Sequence, residues 1–172
     1  MNARLAPLFT RRSVRGYTGA AVTDVEIRDL LEAAMAAPSA VAKDPWHFVV
    51  ARGGDTLNAM AGILPNGPML RQADAAIVVC GDPTRAHRNL ESYLLQDCSA
   101  ATENLLLAAS LLGLGACWLG VHPNEERIVA LRRLFDIPPA IIPVSAIALG
   151  RPADAVTPRT RFRAEAVHQG KW

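Results

Sequence analysis

Apolar and polar positions along the chain fall into a small number of periodic segments. In "VTDVEIRDLLEAAMAAPSA" (22–40), Ile27, Leu30, Leu31 and Ala34 recur at i, i+3, i+4 and i+7, which predicts an amphipathic helix. Thr23 and Glu26 stand three residues apart at its start, the spacing of a reciprocal cap that satisfies two orphan backbone donors, and Pro38 stops it. "WHFVVA" (46–51) and "AAIVVCG" (75–81) are short β-branched and aromatic runs bounded by turn residues, read as strands buried on both faces. A long helix is predicted from about Glu91 to Leu112, with Gly113 as its C-terminal stop. "GACWLG" then reads as a strand, "NEERIVALRRLF" as a helix capped by Asn124 with Ile128, Leu131 and Leu134 on one side, and "VSAIALG" as a last strand before a polar tail. Pro138, Pro139 and Pro143 mark the turn between that helix and that strand. Helices and strands alternate without a clean βαβ repeat, so the expected class is α+β rather than doubly wound.

The stretch "LLLAASLLGLGACWLGV" (105–121) comes close to the roughly 18 apolar residues of a membrane span. Gly113, Gly115 and Gly120 interrupt it, which suits a buried helix handing over to a buried strand, and no membrane span is expected. "LLLAASLL" is apolar almost all the way round, unlike a surface helix, and points to a subunit interface. Composition agrees with a folded chain: of 172 residues 51% are hydrophobic and 20% charged. No repeat or linker divides residues 1–172, so one domain is expected. The net charge of +2 supplies no global field toward nucleic acid or an anionic membrane. Cys80, Cys98 and Cys117 are odd in number and form no C-x-x-C pair, which suits a reducing cytoplasm, and no apolar run follows the N-terminal arginines to make a signal peptide.

Candidate chemistry is sparse. His47, His87, His122 and His168 lack the spacing of a helical metal site, so no metal is expected. No dinucleotide fingerprint or Walker loop is present, and Cys98, among small residues, reads as core filling. Two basic clusters remain. "TRRSVRGYT" (10–18) crowds three arginines around Ser13, and "PRTRFR" (158–163) places Arg159 and Arg161 near the C-terminus. Guanidinium forks with a hydroxyl between them suit the oxygens of one phosphate; a nucleic-acid strand would need many more cations. A solvated basic face is the other reading of each cluster.

Four blocks occur in a distinctive order over Arg11 to Trp172: "RRSVRGY", "PSAVAKDPWHFVV", "QDCSAATENLLLAASLLGLGACWLG", and "IALGRP" followed by "RTRF" and "VHQGKW". Together they resemble the FMN-dependent nitroreductase family. That resemblance implies an α+β fold with a mixed β-sheet flanked by helices, built as an intertwined homodimer with two flavin sites at the subunit interface. Arg11, Arg12, Ser13 and Arg15 match its basic motif, in which the first residues and the serine hold the FMN phosphate and ribityl chain and the last reaches the pyrimidine. Arg159 and Arg161 match the pair that completes the phosphate clamp. Pro38, Ser39 and Ala40 match the loop laid by the other subunit against the isoalloxazine, Leu119 and Gly120 the turn whose backbone N–H faces flavin N5, and Asn66 a polar contact to the ring.

The chain departs from the family at Ala42 and Asp44, where Asn and Gln are usual; Lys43 and Asp44 add charge there, Lys43 either contacting the ring or pairing with Asp44 in solvent. The resemblance implies an FMN-dependent oxidoreductase in which NADH or NADPH delivers hydride to N5, leaves, and is replaced in one cleft by an electron-poor nitroaromatic or quinone, with ping-pong kinetics. No side-chain acid or base is required, and Arg15 would stabilise the reduced cofactor. Two alternatives stay open: a flavoprotein of the same fold with another reaction, such as dehalogenation or flavin breakdown, and a non-catalytic FMN-binding protein.

Overall fold

A computed structural model describes residues 2–172. Four strands, β1 (Trp46–Arg52), β2 (Ala75–Gly81), β3 (Gly115–Gly120) and β4 (Ile142–Gly150), form one sheet in the order β1-β2-β4-β3, every pair antiparallel. Among the described residues a parallel pairing occurs only as an isolated bridge between Ser13 and Ala116, outside these antiparallel strands. β2 is buried along its whole length, and its side chains alternate between two cores, Ala75, Ile77 and Val79 into one and Ala76, Val78 and Cys80 into the other. Helices α2 (Asp24–Met35) and α4 (Glu91–Leu111) cover the first face, and α3 (Gly54–Ile63) and α5 (Glu125–Phe135) the second. A fully buried leucine such as Leu30 or Leu105 contributes on the order of 2 kcal/mol by leaving water.

Local chemistry explains the element ends. Thr23 accepts from the Glu26 N–H while Glu26 accepts from the Thr23 N–H, so α2 has both halves of its cap. α4 closes where Gly113 takes φ 71° and the Leu114 N–H donates to the Ala109 carbonyl at 2.8 Å, a bond that needs a left-handed residue between.

Two expectations are corrected. β1 is an edge strand with β2 as its one strand neighbour, so His47 and Val50 lie exposed and the strand is not buried on both faces. Pro143 does not mark a turn; it lies inside β4 opposite Cys80, where the register shifts between Val79 and Cys80 and a residue without an N–H is tolerated. The short helix α1 (Ala6–Thr10) and α3 carry no sequence-based prediction. No helix among the described residues is long and apolar enough to cross a membrane. α4 turns Leu105, Leu106 and Ala109 into the core but leaves Leu111 67% exposed.

Candidate functional site

The first basic cluster is fastened to the sheet. The Val14 N–H donates to the Ala116 carbonyl at 2.9 Å, laying Ser13 and Val14 beside β3. Tyr17 is the anchor. Its ring lies buried over Gly115 and Gly150, which face each other across β3 and β4, and its hydroxyl donates to the Val14 carbonyl at 2.9 Å and lies 3.3 Å from the Ala148 carbonyl. A Cβ on Gly150 would sit 2.8 Å from Tyr17 Cδ1, and one on Gly115 would sit 2.8 Å from Val14 Cγ1, so neither position has room for alanine. Burial pushes the phenol pKa above its ordinary range, with Cys117 acting in the same direction and Arg15 against it.

Beyond β4 the chain runs back beside this segment, with the Thr18 N–H donating to the Arg151 carbonyl and the Ala153 N–H to the Gly16 carbonyl, both at 3.0 Å. The tail from Ala153 onward is exposed, yet the Arg159 N–H donates to the Phe9 carbonyl at 3.0 Å. That return unites the two basic clusters: Arg11, Arg12, Ser13, Arg15, Arg159 and Arg161 line one cavity of about 430 Å³. Arg11 is paired with Glu103 of α4 at 3.3 Å. Among the described residues no carboxylate lies within ion-pair distance of Arg12, Arg15, Arg159 or Arg161. Four uncompensated guanidinium groups in one cavity repel one another, and a bound dianion would relieve that repulsion.

Leu119 and Gly120 end β3, three and four residues beyond Ala116 and so roughly 10 to 13 Å along the strand. Leu119 is buried against the turn that carries Asn66, since a Cβ on Gly67 would lie 3.0 Å from Leu119 Cδ1; Asn66 itself is exposed. The Gly120 carbonyl accepts from Arg127 Nη1 at 2.9 Å. Pro38, Ser39 and Ala40 stand apart: they follow α2 and line none of the arginine cavity. Asp97 of α4 holds their loop by accepting the Ala40 N–H on Oδ1 at 2.9 Å; its Oδ2 is buried without a hydrogen-bond partner among the described residues.

That loop is strained. Val41, Ala42 and Asp44 have φ of 57°, 50° and 46°, costing about 1–3 kcal/mol apiece for residues other than glycine. Asn, usual in the family where this chain has Ala42, adopts that conformation more readily. Asp44 compensates: its carboxylate accepts from the Ser39 hydroxyl at 2.5 Å and its N–H donates back to Ser39 Oγ at 3.0 Å. Asp44 is therefore partnered by Ser39, and Lys43 forms no ion pair with it.

The other reactive groups are spoken for. Cys80 and Cys98 are buried free thiols pushed up to about 12 by desolvation. His122 pairs with Glu91 at 3.1 Å, His87 packs edge-on against Tyr93, and no cluster among the described residues has the makings of a metal site. Sequence reasoning missed Tyr17, Gly115, Gly150, Glu103 and Asp97. Asp97, an acid between apolar turns of α4, was the one with a visible signal.

Comparison with known proteins is consistent with this arrangement. Residues 8–64 and 62–151 match the model of the Nitroreductase family. A protein of Archaeoglobus fulgidus provisionally named NADH dehydrogenase/NAD(P)H nitroreductase is 45% identical, with 100% of each chain covered. An FMN reductase [NAD(P)H] of Bacillus subtilis is 26% identical over 98% of this chain and 73% of its own. A crystal structure from Bacteroides thetaiotaomicron with the same provisional name as the archaeal protein superimposes with a TM-score of 0.93 at 39% identity, covering 100% and 99% of the two chains. A provisionally named nitroreductase of Desulfovibrio desulfuricans, solved in complex with FMN, does so with a TM-score of 0.84 at 34% identity, covering 100% and 99%. With a family-model match over most of its residues and full-length similarity to such a relative, the chain belongs to the nitroreductase family.

Proposed function

We propose that this chain is an FMN-dependent NAD(P)H oxidoreductase, a single domain over residues 1–172, that reduces an electron-poor small molecule of the nitroaromatic or quinone type. One observation carries the reading: basic residues more than 140 positions apart converge on one cavity, and four of them, Arg12, Arg15, Arg159 and Arg161, have no carboxylate within ion-pair distance among the described residues. The donor set fits the phosphate of FMN, because guanidinium forks and the Ser13 hydroxyl only donate or can donate, and a phosphate only accepts. The name and FMN complex of the Desulfovibrio relative, and the name of the Bacillus reductase, support the same cofactor.

Bound FMN would supply the electron transfer between a reduced nicotinamide and the acceptor, in ping-pong order. The chain's own residues bind and orient. Arg12, Ser13, Arg159 and Arg161 grip the phosphate, with Arg11 held in place by Glu103. Arg15 brings positive charge to the side assigned to the pyrimidine ring, with no carboxylate within ion-pair distance among the described residues, and so favours the cofactor when it carries negative charge. Leu119 and Gly120 present backbone to the ring, and Asn66 offers a polar contact beside them.

A homodimer completes the site in this reading, the neighbour's Pro38, Ser39 and Ala40 covering the ring. The exposed Leu111 at the end of α4, and Phe162 and Trp172 on a tail that packs on little of its own chain, support such a partner. We assign the protein to the cytoplasm on its three buried free thiols, and its small net charge gives no footing for a nucleic acid.

The test is an absorbance spectrum of the purified protein with FMN added, then anaerobic titration with NADH and NADPH and steady-state kinetics at several acceptor concentrations. Yellow protein, bleaching by a nicotinamide and parallel double-reciprocal lines are expected, with a mass twice the 18.4 kDa of one chain. Colourless protein that takes up no FMN would refute the reading.

A further inference from the structure

A second polar cavity, of about 450 Å³, lies between the Pro38–Asp44 loop and the segment joining β2 to α4. Lys43, Thr84, Arg85, Arg88 and Asn89 supply its polar lining. None of its three cations has a carboxylate within ion-pair distance among the described residues. The nearby acids are hydrogen-bonded or paired to other groups, and Arg85 acts on Asp82 only through its field, without an ion pair. Asp82 accepts from the Thr84 N–H at 2.9 Å and its hydroxyl at 2.7 Å, Asp44 is bound to Ser39, and Glu91 pairs with His122.

The segment is built rather than loose. Ala86 is buried in the core, the Ala86 N–H donates to the Asp82 carbonyl at 3.3 Å, and the Asn89 N–H donates to the Ala86 carbonyl at 2.9 Å. His87 meets Tyr93 of α4 with ring centres 5.0 Å apart. Arg88 and Asn89 both hold φ at 55°, a consecutive left-handed pair that residues other than glycine rarely adopt. Such a turn gathers cations around a concave surface where, without a ligand, they gain nothing.

We infer that this cavity takes a phosphate of the reduced nicotinamide dinucleotide, either the adenosine 2′-phosphate of NADPH or the diphosphate shared with NADH. The inference rests on the proposed function, which lays the Pro38–Ala40 loop over the ring where the nicotinamide must stack. The cavity begins at Ala42, two residues past that loop, and Lys43 follows, so a dinucleotide stacked on the ring would lead its phosphates past Lys43. Guanidinium forks match phosphate oxygens in pairs, and an ammonium adds a point charge.

The experiment uses FMN-loaded protein and the double variant Arg85→Gln, Arg88→Gln. Neither residue lies in the flavin cavity, so the variant should keep its flavin spectrum and melting temperature. Anaerobic stopped-flow reduction by NADPH and by NADH is measured alongside direct titration with adenosine 2′-monophosphate and with ADP. If the 2′-phosphate is the ligand, the reduction rate constant at low NADPH falls by about tenfold or more while that for NADH barely moves, and 2′-monophosphate binding alone is lost. If the diphosphate is the ligand, both nicotinamides lose equally and ADP binding is lost. Unchanged rates and unchanged nucleotide binding overturn the inference. Should neither nicotinamide bleach the wild-type flavin, the proposed activity falls, and the nucleotide titrations alone decide the cavity: binding abolished in the variant keeps it, equal binding in both proteins ends it.

Discussion

Replacing Gly150 by alanine should loosen the cofactor grip from behind, without touching a single ligand contact. The new methyl would stand 2.8 Å from Tyr17 Cδ1 and 2.9 Å from Cγ, closer than a Cβ tolerates, and the ring is buried, so it cannot move aside without displacing its neighbours. Gly150 does not have positive φ, so backbone strain adds nothing and the cost is overpacking. Overpacking costs about 1–3 kcal/mol, and the reduced freedom of the unfolded chain returns about 0.4–1 kcal/mol. A net loss of about 1–2 kcal/mol lowers the melting temperature of a chain this long by about 2–8 °C. The larger effect is on FMN. A ring that shifts pulls its hydroxyl from the Val14 carbonyl, and Val14 and Ser13 carry the arginines, so losing one or two charge-assisted bonds raises the FMN Kd by about 10- to 100-fold or more. Quenching of FMN fluorescence gives the Kd, and differential scanning fluorimetry of the apoprotein gives the melting temperature. Gly62→Ala is the control, since a Cβ there meets nothing within 4 Å and a helical alanine should be neutral or stabilising. A Gly150→Ala protein with wild-type FMN affinity would refute the anchoring role of Tyr17.

Other perturbations separate the remaining parts of the argument. Arg12→Ala and Arg159→Ala should each weaken FMN binding by about tenfold or more, with a shallower salt dependence on isothermal titration, because neither guanidinium has a carboxylate partner to fall back on. Stability in urea should fall as pH rises above 9.0, because the unfolded thiols of Cys80 and Cys98 ionise there while the buried ones hold their protons to about 12; the slope is about 1.4 kcal/mol per pH unit for each thiol. A Cys98→Ala variant should show a shallower decline over that window, and an identical one would contradict it. Leu111→Glu should shift the protein toward single chains by sedimentation velocity, since that leucine is 67% exposed on one chain.

What the sequence revealed divides by the range of the forces involved. The cap of α2 was legible because Thr23 and Glu26 satisfy each other within one turn, and the end of α4 because Gly113 alone can take the left-handed step. β2 read correctly because an unbroken apolar run suits a central strand, whereas the edge position of β1 depends on strand order, which no local pattern encodes. α3 went unread because it begins at Gly54 after Gly53, with no side-chain cap. Pro143 was assigned to a turn because the register shift that accommodates it arises between strands distant in sequence. The basic residues were visible as types, but their convergence depends on a tail that returns through one backbone bond to Phe9. The loop after α2 was the least legible part, because Val41 is among the residues least suited to positive φ and its neighbours are held by Asp44 and Asp97 instead.

The short link from Ser39 to Asp44 also fixes the polarity of whatever comes to rest on that loop. With its hydrogen given to a carboxylate and one lone pair occupied by a backbone amide, the serine can only receive. A visiting molecule must therefore bring its own N–H or O–H to bond this hydroxyl, and the nitro or carbonyl oxygens of an acceptor would seat facing away from it.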